Sequence, residues 1–432
     1  MKTTRWLIAA LATASGTLAS QAMAAGFGLN EQSVSGMGTS FAGRSSAAED
    51  ASTLFGNPAG MSRLDREQVS FGAAVLNAKT KIKDASGAGT GIFNGTTPGS
   101  NDGDMVPVTA VPMGYYIKPI DDKWAVGVGL YVPFGLSTDY ESGFQGRYFG
   151  DYSEVAVITV QPTVSYRFND KLSVGFGPTF NHISGELQSA SPGGPAGDGR
   201  VKVTGDDMAL GFNAGVLYEF TPNTRVGATY HSKVKYSLEG DTKLSGAGFG
   251  SAAGTKYDAA LDISTPESID VSMTHQLNDR WTLYGGAMWT RWSRFESLII
   301  ENEGMPATLP STVQTIIEEQ DWHDTWSYAV GAAYKLNNQV TLRTGLAFDQ
   351  SPTNNTHRSP RIPSGDRTAV SFGLGWDPSA DVTVDLAYTY LWEEDTSVNR
   401  SKSYMGGVQV QDYSANYENS AHGLAASLTY RF

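Results

Sequence analysis

The strongest constraint on this 432-residue chain is a recurring alternation of apolar and polar residues, cut at six places by short polar turns. The turns read Ile120-Asp121-Asp122-Lys123, Phe168-Asn169-Asp170-Lys171, Phe220-Thr221-Pro222-Asn223, Leu277-Asn278-Asp279-Arg280, Leu336-Asn337-Asn338-Gln339 and Trp376-Asp377-Pro378-Ser379. Asp, Asn and Pro tolerate or pre-set the dihedrals that a tight hairpin needs. Roughly 40 to 60 residues separate consecutive turns, room for two strands of about ten residues or more and one longer loop. Six turns separate seven long hairpins, which makes fourteen strands.

The alternation says what kind of strands these are. In the last segment Leu424, Ala426, Leu428, Tyr430 and Phe432 share one face, while Ala425, Ser427, Thr429 and Arg431 share the other. The same period runs through Val382 to Tyr390, Val155 to Phe168 and Trp281 to Trp289. One such run alone fits a half-buried strand of a soluble sandwich. A long series of them, 47 aromatics placed largely toward strand ends, and a final strand ending on Phe432 fit a membrane barrel instead. Apolar side chains then face lipid and polar ones the lumen. The expected fold is all-β, a 14-stranded antiparallel transmembrane β-barrel over residues 67–432, with strand one over about Gln68 to Ile82. In such barrels the short turns face the periplasm. Both chain ends belong on that side, and loops such as 189–199 and 245–254 face outward.

Two segments precede the barrel. Lys2 and Arg5, the apolar stretch Trp6 to Ala14 and the small residues Ala22-Met23-Ala24 describe a secretory signal peptide, residues 1–24, cleaved after Ala24 and directing the chain to the bacterial outer membrane. Ser15, Gly16, Thr17 and Ser20 interrupt the apolar run well short of the ~20 residues that an anchor needs. Removing Lys2 and Arg5 leaves 29 Lys and Arg against 44 Asp and Glu, a formal charge of −15 in place of −13. So acidic a chain lacks the basic footprint of nucleic-acid binding.

The absence of cysteine excludes disulfides and thiolate metal sites. No motif asks for a cofactor or a metal: Asp377 to Asp385 superficially resembles a calcium loop but lacks its glycine and terminal glutamate. The histidines at 182, 231, 275, 323, 357 and 422 fall in no motif that singles out a nucleophile, so no catalytic residue and no enzyme activity are expected.

Residues 25–66 carry no strand pattern. The stretch from Gly26 to Gly60 is small and polar, with few large apolar residues, among them Phe27, Leu29, Phe41, Leu54 and Phe55. That is too little to fold alone. It suits a plug packed inside a lumen, where glycines permit close backbone approach; a flexible periplasmic tail is the alternative.

The same segment carries a resemblance. Ala25-Gly26-Phe27-x-Leu29-Asn30-Glu31, Ser35-Gly36-Met37-Gly38, Ala42-Gly43 and Asn57-Pro58-Ala59 resemble the N-terminal hatch of the FadL family (OMPP1/FadL/TodX-like) of outer-membrane long-chain fatty acid transporters. The similarity continues through 213–219, Pro266-Glu267, Trp289 to Phe295, Leu342 to Asp349 and Ser351-Pro352. It implies a fourteen-stranded barrel, a hatch, capture of a hydrophobic ligand from outside, and a kinked third strand that opens a lateral gap in the wall. The matching stretch is Leu130 to Leu136, where Pro133 cannot donate a ladder hydrogen bond and Gly135 weakens the strand. A bulge with no transport role is the other reading of those residues.

On this resemblance Phe27, Leu29, Phe134 and His323 are the expected ligand contacts. Asn57, Pro58 and Ala59 brace the hatch, and Pro133, Phe134 and Gly135 form the opening. The sequence departs from the family where basic side chains hold the carboxylate: Ser189 and Glu318 stand near those positions. Glu318, Glu319, Asp321 and Asp324 make the stretch acidic, which would repel a carboxylate, and His323 and Arg291 are candidate substitutes. The expected function is passive uptake of hydrophobic molecules, long-chain fatty acids first, neutral hydrocarbons or monoaromatics second, with a general polar porin as the reading from another class. Expected partners are the hydrophobic ligand, lipopolysaccharide and outer-membrane lipid, the barrel-assembly machinery through the strand ending at Phe432, and phage at the outer loops, but no nucleic acid.

Overall fold

The computed structural model describes residues 26–91 and 94–432, so the expected leader and its cleavage point lie outside the described residues. The wall is built from β1 Gln68–Gly91, β2 Thr109–Pro119, β3 Trp124–Asp139, β4 Tyr152–Arg167, β5 Leu172–Ser191, β6 Gly199–Thr221, β7 Thr224–His231, β8 Ser268–Gln276, β9 Trp281–Thr290, β10 Thr325–Lys335, β11 Val340–Asp349, β12 Arg367–Ser379, β13 Val382–Glu393 and β14 Gln409–Arg431. Each strand pairs antiparallel with the next. β14 returns to β1 from Gln68↔Arg431 to Gly91↔Gln409, closing a 14-stranded barrel. Closure is what lipid demands, because an open edge in hydrocarbon leaves N–H and C=O groups with no partner.

All six expected turns join strands on one rim, β2 to β3 through β12 to β13. Four share one device. The side chains of Asp121, Asn169, Asn278 and Asn337 each fold back and accept from the backbone N–H groups two and three residues on, at 2.7–3.0 Å. The alternation also holds: Leu424, Ala426 and Tyr430 are exposed on the outer face of β14, while Ala425 and Thr429 are buried within. Trp124, Phe168, Phe220, Trp281 and Trp376 mark the turn rim, and Trp326 and Trp392 the opposite one.

The outward segments differ from expectation. Much of what reads as long loop is more sheet: Val234–Ser245, Lys256–Thr265, Ser297–Asn302, Thr315–Glu319 and Thr396–Tyr404 extend the wall, and β1 runs on past Ile82. Their period is still two, but many outer residues are charged, as in Lys235, Glu239 and Asp241 against buried Tyr236, Leu238 and Thr242. A charged outer face hides the lipid-facing signal in Val234–Ser245 and Lys256–Thr265.

Residues 26–64 lie inside the ring. They contain the short helices α1 Val34–Met37 and α2 Thr53–Gly56 and the 3-10 turn Pro58–Arg63. They bond to strands on every side: Gln32 O accepts from the Tyr115 hydroxyl of β2 at 2.8 Å, Ser40 Oγ meets Ser371 of β12 at 2.9 Å, and Ser46 Oγ meets Thr274 of β8 at 2.8 Å. Glycines in the wall make room for this packing. A Cβ on Gly227 would stand 1.7 Å from Ser45 O, one on Gly345 2.2 Å from Thr39 C, and one on Gly175 2.3 Å from Pro58 C. The expected result of Gly227→Leu is a closed barrel whose N-terminal segment no longer seats. Limited proteolysis should then cut within residues 26–64 about tenfold faster or more, the effect of losing ~1.4 kcal/mol of docking energy; an unchanged rate would refute the close packing.

Candidate functional site

The wall departs from regular pairing at β3. The β2–β3 ladder runs from Pro119↔Ala125 to Gly114↔Leu130 and stops, leaving Thr109 to Met113 of β2 without a β3 partner. On its other side β3 stays paired with β4, but the register shifts between Tyr131 and Phe134, so that Val132 and Pro133 form a bulge. Pro133 supplies no N–H there, as the sequence implies. The backbone groups that β2 has given up are taken by the N-terminal segment: Leu29 N donates to Pro133 O at 2.8 Å, Gly135 N donates to Phe27 O at 2.9 Å, and Gln32 Nε2 donates to Val132 O at 2.6 Å. Residues 27–29 thus act as a short surrogate strand against the kink, bridged at Gly28 and Phe134.

Two cavities flank this contact. The first, about 850 Å³, is almost wholly apolar, lined by Phe27, Leu136, Ile183, Leu238, Leu261 and Phe295 among others. The second, about 940 Å³, is more polar, with Leu29, Pro133, Phe134, Asn181, His231 and Trp292 in its lining. Between them stands an aromatic cluster. The Phe27 ring is 4.9 Å from Trp292, 5.5 Å from Phe295 and 5.7 Å from Phe134, centroid to centroid, all tilted or edge-on. Gly26 enters the cluster at φ +64, and a Cβ on it would stand 2.7 Å from the Trp322 ring.

The polar end of the first cavity is formed by Gln320, Ser359 and Arg361. Arg361 is a cation that sequence reasoning missed; it lies in the 350–366 connection between β11 and β12, much of which is buried. Its charge is already matched. Nε is 3.1 Å from Glu318 Oε2, Nη2 is 3.2 Å from Glu318 Oε1, and Nη1 donates to Tyr152 O at 2.7 Å and Ser153 Oγ at 2.8 Å. The acidic stretch is thus not uniformly repulsive, because Glu318 is spent on Arg361. Glu319 is exposed beside His357, and Asp324 accepts from Ser293 N.

A second ionisable group lies deeper. Glu31, 1% exposed, lines a luminal pocket with Asn30, Arg44, Asp270 and Arg367, and no side chain bonds to either of its carboxyl oxygens. Burial pushes its pKa from 4.5 up to about 7, against the opposing pull of nearby backbone N–H groups, Arg44 and Arg367.

The structure brings Phe27, Leu29, Pro133, Phe134 and Gly135 into one contact. It does not bring His323 to it: that side chain is exposed and lines neither cavity. Arg291 lies just past the end of β9, half exposed and paired with Glu267, and Ser189 sits on β5 opposite Val201; neither lines a cavity. Asn57 is fully engaged between segment and wall. Its Oδ1 accepts from Ala59 N at 3.0 Å, and its Nδ2 donates to Ser45 O at 2.7 Å and to Val216 O of β6 at 2.9 Å. Pro58 begins the following 3-10 turn, where its missing N–H costs nothing.

The family model described as outer membrane protein transport protein (OMPP1/FadL/TodX) matches residues 15–432. The chain is 28% identical to the long-chain fatty acid transport protein of Escherichia coli, over 98% of each chain, and 29% identical to outer membrane protein P1 of Haemophilus influenzae, again over 98% of each. Its structure superposes on the crystal structure of a Pseudomonas aeruginosa FadL homologue with a TM-score of 0.83, at 25% identity, covering 94% of this chain and 100% of the other. The fold is shared at 19% identity with the Ralstonia pickettii toluene transporter TbuX, with a TM-score of 0.66 over 90% of this chain and 95% of the other. A closed fourteen-stranded wall, a lumen filled by its own N-terminal residues and a kinked third strand therefore stand in a chain that belongs to the OMPP1/FadL/TodX family of outer-membrane transport proteins.

Proposed function

We propose that this protein takes up hydrophobic molecules, long-chain fatty acids foremost, by passive ligand-gated diffusion. Residues 25–66 serve as the hatch, braced by Asn57, Pro58 and Ala59. The cargo passes from the apolar cavity, by Phe27, Leu29 and Phe134, to a lateral exit at Pro133, Phe134 and Gly135. The observation that carries this reading is that Phe27 and Leu29 hold the edge of β3 that β2 has released, while Phe27 also stands between the two cavities. Moving those few residues would join the cavities and free the gap together. An apolar chamber suits an alkyl chain, which gains about 0.8 kcal/mol per buried methylene. A sideways exit lets it reach the membrane without crossing water. A polar porin would need an open aqueous lumen, where this one is occupied by residues 26–64. The leader with cleavage after Ala24, assembly through the strand ending at Phe432, and lipopolysaccharide and phage contact at the outer rim belong to the same proposal.

A second reading, uptake of neutral hydrocarbons or monoaromatics by the same route, draws on one observation. The cation lining the apolar cavity, Arg361, is ion-paired with Glu318, which weakens its pull on a carboxylate. Two outcomes separate the readings. In a strain lacking its own fatty acid transporter this chain should restore growth on oleate, and Pro133→Ala should reduce uptake severalfold while leaving the folded barrel intact. Growth on an alkane or a monoaromatic but not on oleate would move the substrate to the neutral class. Glu318→Gln frees the Arg361 guanidinium and should tighten binding of a fatty carboxylate by about tenfold, the worth of one charge-assisted hydrogen bond.

Glu31 gives the hatch a pH dependence of definite sign. The docked carboxyl titrates near 7 rather than at 4.5, so docking retains a proton that the released segment gives up. The docked state carries no penalty below the released pKa. It weakens as pH climbs from 4.5 to 7 and stays weakened above, by about 3 kcal/mol for a shift of this size. Proteolytic or fluorescence detection of hatch release should rise between pH 5 and pH 8 in the native chain, and Glu31→Gln should flatten that rise. A rise of the same size in the variant would place the titrating group elsewhere.

A further inference from the structure

The wall carries a second break, between β6 and the strand that follows β7. β6 pairs with β7 from Thr221↔Thr224 to Asn213↔His231, and with Val234–Ser245 from Asp206↔Glu239 to Arg200↔Ser245. Between the two ladders Asp207 to Phe212 face Ser232 to Leu238 without a ladder pair. Both edges are held from behind. β5 pairs with β6 from Thr179↔Gly211 to Ile183↔Asp207, and Lys256–Thr265 pairs with Val234–Ser245 from Val234↔Thr265 to Leu238↔Leu261. Two ordered edges that face each other unpaired make a slit, and each presents a row of backbone groups to the other.

Side chains hold the slit shut. At its lower end Phe212 N donates to Ser232 Oγ at 2.8 Å and Ser232 N donates to Phe212 O at 2.9 Å. At its upper end Ser237 N donates to Asp207 Oδ2 at 2.7 Å. A side-chain latch releases by a change of rotamer, with both strands left in place.

The slit lies where the hydrocarbon ends. From Phe220 on the turn rim to Leu210 the tilted strand β6 climbs roughly 25 Å, the height of the apolar band. Met208 and Leu210 are 71% and 69% exposed, more than any other large apolar side chain among the described residues. The facing lip is polar: Lys235 and Ser237 are exposed, and Asp262 is 2.9 Å from the Lys235 ammonium. Farther up, Asp206 stands opposite Glu239. One lip suits an alkyl chain and the other a polar head, and the carboxylates around it repel an anionic head.

Behind the slit is the polar chamber. Its lining takes Phe212, Ser232 and Val234 from the slit and Tyr131, Pro133 and Phe134 from the β3 kink, so one cavity reaches both breaks in the wall. Phe212 is exposed on the outer face, which carries the lining through to the membrane side. The chamber's carboxylates, Asp270 and Asp349, outnumber its one guanidinium, Arg44, and hydroxyl and amide groups such as Thr179, Asn181 and Ser268 supply much of the remaining polar lining. That chemistry favours an uncharged hydrogen-bonding head over a carboxylate.

We propose that the slit is a second side port, through which a single-chain amphiphile with an uncharged head, such as a long-chain alcohol, passes from the outer edge of the bilayer into the polar chamber. Its tail lies against Met208 and Leu210, and its head meets Ser232 and the chamber's hydroxyls. Cargo already dissolved in the membrane then reaches the chamber without passing the apolar cavity. Beyond the chamber the port rests on the proposed uptake route, with the β3 kink as exit.

The chain has no cysteine, so a thiol bridge across the slit is unique. Met208→Cys with Ser237→Cys, positions that the Asp206↔Glu239 register sets opposite each other, is joined by a short bis-thiosulfonate linker and reopened with reductant. The full chain is reconstituted in phosphatidylcholine vesicles that already contain a hexadecanol analogue with a diazirine in its alkyl chain, and photolabelled residues are mapped by mass spectrometry. The unbridged variant should be labelled at Val157, Thr179 and Val234 of the chamber. The bridge should cut that labelling by about tenfold or more, leave labelling of lipid-facing Leu424 unchanged, and be reversed by reductant. Asp207→Ala with Ser232→Ala, which removes both latches, should raise chamber labelling severalfold in a barrel whose heat-modified gel mobility is that of the native chain. An alkyl sulfonate of the same length should label the chamber about tenfold less than the alcohol. Chamber labelling that ignores the bridge, or that is equal for the sulfonate, would overturn the proposal. The same alcohol added from water should label Leu136 of the apolar cavity with or without the bridge; absence of that label in the native chain would count against the proposed uptake route, while the port stands or falls by the chamber labels.

Discussion

Closure of the hydrogen-bond ladder between β1 and β14 is the interaction on which the rest of this molecule depends. In hydrocarbon an unpaired backbone group costs several kcal/mol, so the sheet has one stable option, a ring without edges. Once closed, the ring fixes a lumen, and only inside that lumen can a segment with so few large apolar residues hold a shape. Residues 26–64 borrow their fold from the wall. Asn57 ties the segment's backbone to β6, and wall glycines such as Gly227 and Gly345 let main chain lie against main chain. The segment is stable because its surroundings are complete.

The kink in β3 is the place where that closure is relaxed and then repaired from within. β2 releases β3 beyond Leu130, and the N-terminal residues supply the missing partners through Leu29 N and Phe27 O. A defect that would be expensive facing lipid is satisfied by the N-terminal segment. The wall's weak point and the residue dividing the cavities are therefore one contact, and on the proposed mechanism movement of the segment would open both. Glu31 of the same segment is buried, with its pKa raised by that burial.

Much of the wall was legible in the sequence because its signals are local. An Asn or Asp at the start of a tight turn completes its own hydrogen bonds within three residues, as Asn169, Asn278 and Asn337 do. Period two shows on any strand whose outer face meets lipid. It failed to mark Val234–Ser245 and Lys256–Thr265 because beyond the membrane the outer face is charged, and alternation of charged with apolar residues reads as loop. The kink was legible for a similar reason: Pro133 removes a donor whatever surrounds it. The electrostatics of the lumen were not. The acidic run around Glu318 reads as repulsive until Arg361, 43 residues away, is seen to neutralise it. Arg291, a candidate for the lumen by its type, is instead half exposed past the end of β9 and paired with Glu267.

By itself the sequence determined the number of strands, the side of each that meets lipid, the turn rim, the N-terminal segment that does not belong to the wall and the strand that cannot pair throughout. Each follows from dihedral preference, donor count or period two, which a residue carries with it. Only the tertiary structure decided which side chains meet across the lumen: Phe27 with Trp292 and Phe295, Glu318 with Arg361, Glu31 with Arg44 and Arg367. The physical reason is that those meetings depend on the closed geometry of the ring, on strand register and on how deeply one segment seats, quantities set by the whole ladder together and by no residue separately.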